Sequence, residues 1–335
     1  VAYNHSFNTE AGLRNLENLI EKSGCDAIRY SAGLDSVYRI SSHMLKEVGD
    51  ITWHYHAGIR TFPFQIAVKY NIPLVIWGEH GFAELTGIVS LENFVEHTKW
   101  TRKEHDMRGY EPETLIGKNN ITRADIAPYI YPSEDEIENT EVRGIYLSNF
   151  FDWNAKSHAE LMMREWQFSP ITFKRDRTFN LYSKIEDHAN DVHDYLKYLK
   201  FGYGRATDDA SMEIRHGRLT REKGIQLVQE YDSNEPSTLE HYCDFLGITK
   251  TDFYKVVENQ RDPEIWQKNK SGEWQVRDAV WFNTKAPNNN ENENESTENS
   301  TFSEKNRQLY FNPNLPPLKF GDRAVDEADL KFRAL

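Results

Sequence analysis

The residues best suited to chemistry gather between Phe201 and Glu222, which reads Phe-Gly-Tyr-Gly-Arg-Ala-Thr-Asp-Asp-Ala-Ser-Met-Glu-Ile-Arg-His-Gly-Arg-Leu-Thr-Arg-Glu. With its flanks it collects Lys197, Lys200, Arg205, Arg215, Arg218, Arg221 and Lys223 in a chain of net charge −13. Gly202 and Gly204 allow close backbone approach or a positive φ. Thr207, Asp208 and Asp209 read as the start of a short helix, Gly217 as its stop, and Thr220 with Glu222 as the opening of the next. A basic loop feeding a helix N-terminus is an anion site. The same residues also fit two surface helices joined by a charged turn, with Arg215 balancing a helix C-terminus.

A second group follows the apolar run Leu74-Val-Ile-Trp77, which has the pattern of a strand buried on both faces. Gly78, Glu79 and His80 sit directly after it, at the carboxyl edge where open parallel sheets gather ligands. Glu79 has the chemistry to hold Mg²⁺, and His80 to donate to a phosphate or move a proton. The alternative is a tight strand exit with solvated polar residues. Tyr3, Asn4 and His5 stand in the same relative place after Val1–His5, and fit either an adenine or ribose pocket or a strand end turning polar.

Ser31-Ala-Gly-Leu-Asp-Ser36 resembles the Ser-Gly-Gly-x-Asp-Ser loop by which PP-loop ATP pyrophosphatases cradle pyrophosphate. Ser31, Gly33, Asp35 and Ser36 would form the nest. Ala32 replaces the first glycine, however, and an ordinary helix cap by Asp35 or Ser36 competes. His54 and His56 share one face of Trp53-His-Tyr-His56 if it is extended. With no third ligand nearby, they are expected to pack or hydrogen-bond rather than bind metal.

The elements that must position these groups alternate. Val1–His5, Asp26–Tyr30, Leu74–Trp77 and Gly144–Asn149 read as strands. Helices are expected after Asn8 or Thr9, over 36–48, over 61–70 and over 187–199, with Asn154 capping one whose Leu161 and Trp166 face inward. Further helices follow over 220–231, around 239–246 and from Thr251 to about Gln260. Ile265-Trp266 and Trp274–Val276 flank a hairpin turn at Asn269–Gly272. The spacing predicts a parallel α/β domain over 1–150, a mainly helical part over 151–283, a disordered Asn/Glu-rich linker over 284–307 and a tail over 308–335.

Length 335 allows one large domain or two ordinary ones, and pI ≈ 5.4 argues against a nucleic-acid partner. Cys25 and Cys243 suggest neither disulfide nor zinc. No apolar run approaches the roughly 20 residues of a membrane span, so membrane insertion is not expected and a cytoplasmic location is.

Several stretches together carry one resemblance. They are Tyr3–Asn18, Gln65–Glu79, Glu104-His-Asp-Met-Arg-Gly109, Arg143-Gly-Ile-Tyr-Leu-Ser-Asn149 and the basic stretch. Over roughly residues 1 to 283 the chain resembles the N-acetyl sugar amidotransferases of surface-polysaccharide and nonulosonic-acid biosynthesis. The resemblance implies a PP-loop, Rossmann-like fold of the adenine nucleotide α-hydrolase type. It further implies ATP and Mg²⁺, an N-acetylated sugar or sugar nucleotide as substrate, and ammonia from a partner glutaminase. The product would carry an acetamidino group and enter O-antigen, capsule or flagellin glycans. Carried over by position, Tyr3, Asn4, His5, Gly78 and Glu79 border the nucleotide. Lys200, Arg205, Asp208, Arg215 and Arg218 face phosphates or the activated sugar.

Family members carry the Ser-Gly-Gly-x-Asp-Ser loop before the strand matching Val1–His5. The chain therefore reads as an N-terminally incomplete copy, in which Ser31–Ser36 falls after a later strand. Two other readings stay open: a non-catalytic nucleotide-binding remnant, and another PP-loop amide or thiolation ligase using Ser31–Ser36.

Overall fold

Local capping chemistry sets most helix starts. In the computed structural model, which describes residues 1–4, 6–78, 95–151 and 153–282, Thr9 accepts from the Gly12 amide to open α1 (Glu10–Ser23). α2 (Leu34–Val48) starts behind Gly33 with no side-chain cap. Neither Asp35 nor Ser36 caps it, and Ser36 bonds Asp125 instead. α3 (Trp53–Tyr70) begins eight residues before the expected Thr61 and runs through Pro63. Burial of Trp53, Ala57 and Phe64 outweighs the helix-breaking tendency of that proline.

The strands are short. β1 (Ala2–Asn4) pairs in parallel with β2 (Arg29–Ser31), and β3 (Leu74–Trp77) in parallel with β4 (Arg143–Tyr146). α4 (Glu134–Thr140) precedes β4. The chain is thus mixed α/β, mostly helical, with small parallel sheets. Among the described residues the two ribbons are not joined by hydrogen bonds. An apolar cleft of about 430 Å³ lies between them, walled by Val1–Tyr3 and Leu74–Trp77 and floored by Ile59, Pro63, Ile66 and Ala67 of α3. Leu74 is 44% and Ile76 51% exposed, so β3, read from its sequence as covered on both faces, is open on one.

The C-terminal part is helical. α5 (Ala155–Trp166) is capped by Asn154 as expected, yet Leu161 faces solvent and only Ala159 is buried. α6 (Ala189–Phe201), α7 (Arg205–Arg215), α8 (Arg221–Tyr231), α9 (Leu239–Phe245) and α10 (Lys250–Glu258) follow. Thr249, not Thr251, caps α10. β5 (Trp266–Lys268) and β6 (Trp274–Val276) form the expected hairpin. Leu45 and Ile51 join a core with Leu196, Leu199, Tyr242 and Phe253, so the residues on either side of 150 share one apolar cluster.

Candidate functional site

Polar groups collect at the carboxyl ends of both ribbons. At the first, Asn4 Nδ2 donates to Ser31 Oγ at 3.1 Å, bringing together two groups singled out in the sequence. Tyr3, one residue earlier, points the other way, as strand alternation requires. Its hydroxyl lies 2.7 Å from that of Tyr129, and its ring fills the space beside Gly58, where a Cβ would come within 2.3 Å of it. Gly33 faces open space, and Asp35 is exposed. His5, Glu79 and His80 lie outside the described residues.

At the second ribbon Trp77 and Tyr146 end their strands side by side, with ring centroids 5.9 Å apart. Arg60, from α3, places its guanidinium 5.4 Å from the Trp77 ring and 5.7 Å from that of Tyr146. Its Nε lies 3.4 Å from Asp106 Oδ1. Asp106 closes a π-helical turn, Arg102–Asp106. His97 Nδ1 lies 3.2 Å from the Tyr146 hydroxyl. Burial, helped by Arg60 and Arg102, holds the His97 imidazole well below its ordinary pKa, so it is neutral. Gly78 accepts from the Ser148 amide at 3.2 Å, and its missing side chain makes room for Trp153.

The basic stretch is internally neutralised at several points. Arg205 is buried and grips Asp194 with Nε at 3.0 Å and a terminal nitrogen at 3.1 Å. Burial opposes ionisation of Asp194, yet Arg205 and Lys184 hold its carboxyl well below the usual range. Lys197 reaches Asp208 at 2.6 Å, and Lys200 donates to the Val48 carbonyl at 3.1 Å. Burial lowers the pKa of both lysines. Arg218 grips Glu213 at 2.7 and 2.6 Å and reaches Asn154 Oδ1 at 3.2 Å. Arg215 is exposed at the end of α7. The N-terminus of α7 is capped from a distance. The Asp232 carboxylate accepts from the Gly204 and Thr207 amides at 2.8 and 3.3 Å and from the Thr207 hydroxyl, replacing the cap expected from Thr207 to Asp209.

Two bridges connect this stretch to the ribbons. Arg218 touches Asn154, whose neighbour Trp153 lies against Gly78. His193 of α6 lies 2.7 Å from Thr52 Oγ1 and 3.6 Å from Asp50, which pairs with Arg108 at 3.2 Å. His56, helical rather than extended, also faces Thr52 Oγ1, at 3.2 Å, and lies 5.2 Å ring to ring from His193. A line of polar groups thus runs from Arg60 and Asp106 through Arg108 and Asp50, and across His193, to Asp194 and Arg205. Arg60, His97 and Asp194 were not singled out from sequence, and Asp106 entered only within a quoted motif. Arg60 carried the clearest signal, as a lone cation in the apolar run from Trp53 to Phe64. Among the described residues no three His, Cys, Asp or Glu side chains are grouped to hold a metal ion. No helix there is long and apolar enough to cross a membrane.

No curated protein matches the chain. Residues 173–280, which contain α6, α7, α8 and the hairpin, match the family described as LPS biosynthesis protein WbpG-like, C-terminal domain. The likeness is to a family of lipopolysaccharide biosynthesis and is confined to that segment, less than half of the chain.

Proposed function

We propose that the protein is an ATP-dependent amidotransferase that converts a sugar N-acetyl group to an acetamidino group during lipopolysaccharide biosynthesis. The match of residues 173–280 to a WbpG-like domain carries this reading. The line of polar groups joining that domain to the carboxyl ends of β3 and β4 supports it, because ligands of parallel α/β proteins collect at such ends. In this reading the two ribbons are halves of one Rossmann-like, adenine nucleotide α-hydrolase-like sheet.

An amide carbon is a poor electrophile, so its oxygen must first be made a leaving group. The amide oxygen attacks the α-phosphorus of ATP, and pyrophosphate departs. Ammonia, delivered by a partner glutaminase, then adds to the imidate carbon and AMP leaves with the original oxygen. The protein's task is orientation and charge neutralisation. The uncapped first turn of α2 behind Gly33, together with Asn4 and Ser31, offers amides and hydroxyls that suit a phosphate. Of the residues expected to face the sugar nucleotide, Arg215 is exposed and would meet it, while Lys200, Arg205, Asp208 and Arg218 would hold in place the helices that carry it. Mg²⁺ would neutralise phosphate charge; Glu79, its expected ligand, lies outside the described residues.

The protein expressed from its whole coding sequence, given ATP, Mg²⁺, ammonium and an N-acetyl sugar nucleotide, should release pyrophosphate. Mass spectrometry should show the carbonyl oxygen replaced by NH. ATP binding without turnover under these conditions would identify a nucleotide-binding remnant and end the enzymatic reading.

A further inference from the structure

Arg60 and Asp106 are paired differently from the buried charges of the helical half. Arg205 and Arg218 each close a two-point fork on their carboxylates. Arg60 Nε approaches Oδ1 at 3.4 Å, and Oδ2 of Asp106 has no hydrogen-bond partner although the residue is 7% exposed. A carboxylate oxygen left bare in the interior is costly, and such groups in native proteins generally await a water, ion or ligand. The Trp77 and Tyr146 rings hold the Arg60 guanidinium from two sides, and these residues end their strands. π-Helical turns such as the one Asp106 closes occur frequently at functional positions. A bare acceptor beside the carboxyl ends of parallel strands calls for a ligand that brings an N–H or O–H donor.

Resting on the function proposed above, we infer that Asp106 is the catalytic base that orients ammonia through Oδ2 and takes its proton. The nitrogen lone pair forms the C–N bond to the imidate carbon, and the added nitrogen passes one proton to Oδ2. The C–O bond to the adenylate then breaks, its electron pair leaving with AMP. Arg60 is a positioning residue that fixes Oδ1. Burial raises the Asp106 pKa against the pull of Arg60, Arg108 and Arg102, which strengthens it as a proton acceptor.

The test separates the two halves of the reaction in Asp106→Asn. In a single turnover, with the protein in excess over ATP, pyrophosphate release should stay within about twofold of the parent. Amidine formation should fall about 100-fold or more, the lower end of a general-base contribution. Hydroxylamine, a less basic nucleophile, should recover much of the loss. Equal slowing of both halves, or of neither, overturns the inference. If Asp106→Asn loses its circular-dichroism spectrum, Asp106→Glu decides: slowed amidine formation with retained pyrophosphate release supports the base, and equal slowing removes it. A parent that releases no pyrophosphate defeats the proposed function instead. Isotope-edited NMR then judges Asp106 alone. Its carboxyl resonance, assigned by its absence in Asp106→Asn, should move with ammonium chloride and not with potassium chloride, and no movement overturns the assignment.

Discussion

Buried charge is handled in opposite ways at the two ends of the line of polar groups. Between α6 and α7 it is closed: Asp194 is 0% exposed, with Arg205 forked on it and Lys184 at 3.4 Å. Beneath β3 and β4 it is open: Arg60 touches one oxygen of Asp106 and the other has no partner. Leu196, Leu199 and Phe253 are fully covered, while Leu74 and Ile76 of β3 remain in contact with solvent. Closed pairs and covered faces build a scaffold. An open one, such as Asp106, retains the capacity to bind.

The sharpest way to break that contrast is at Asp194. Asp194→Ala leaves Arg205 and Lys184 buried without their carboxylate, and should cost about 3–5 kcal/mol in urea unfolding, as loss of one partner of a buried pair does. A loss under about 1 kcal/mol would show the cluster to be far wetter than its burial implies.

Acidification comes next in size. His56, His97 and His193 are all held below the ordinary value of 6.5, burial being the largest cause in each. A depressed histidine is neutral when folded and takes up its proton on unfolding, so its contribution is complete above the unfolded value and lost as pH falls through it. Each proton is worth about 1.4 kcal/mol per pH unit below that point. Unfolding free energy should therefore decline from about pH 6.5 downward, and His193→Gln should flatten that slope. An unchanged slope would mean that His193 is already charged beside Asp50.

The smallest effect on stability is expected at Ile76→Lys. The side chain is half exposed, so the change should stay within about 0.5 kcal/mol. A charge on an apolar strand edge should nevertheless reduce self-association in sedimentation velocity, because uncovered edges template strand pairing. Unaltered association would show that β3 is not the sticky element.

Signals confined to a few residues could be read before the fold was known. Thr9, Asn154 and Thr220 cap their helices, and Asn269–Gly272 turns the hairpin, because each needs only neighbours three or four positions away. The bounds of Leu74–Trp77 were equally plain, but not which face stays open, since that depends on what lies across a cleft. The extension of α3 through Pro63 was hidden for a related reason: tertiary burial of Trp53 and Phe64 decides it. Within the site, the cations of the basic stretch were visible as residue types. Their partners were not, because Arg205 meets Asp194 from the preceding helix and Lys200 reaches back to Val48. Arg60 and Asp106 lie 46 positions apart and meet only after α3 has packed against the π-helical turn.

The remote cap on α7 ties two helices into one kinetic unit. Gly204 and Thr207 give their amides to a carboxylate 28 and 25 residues away, at the end of α8. The first turn of α7 therefore has no local side-chain cap, and it gains one only when Tyr231 and Asp232 have docked. Amide exchange in the first turn of α7 and the last turn of α8 should share a single opening event, so a disturbance at Asp232 is felt first at Gly204.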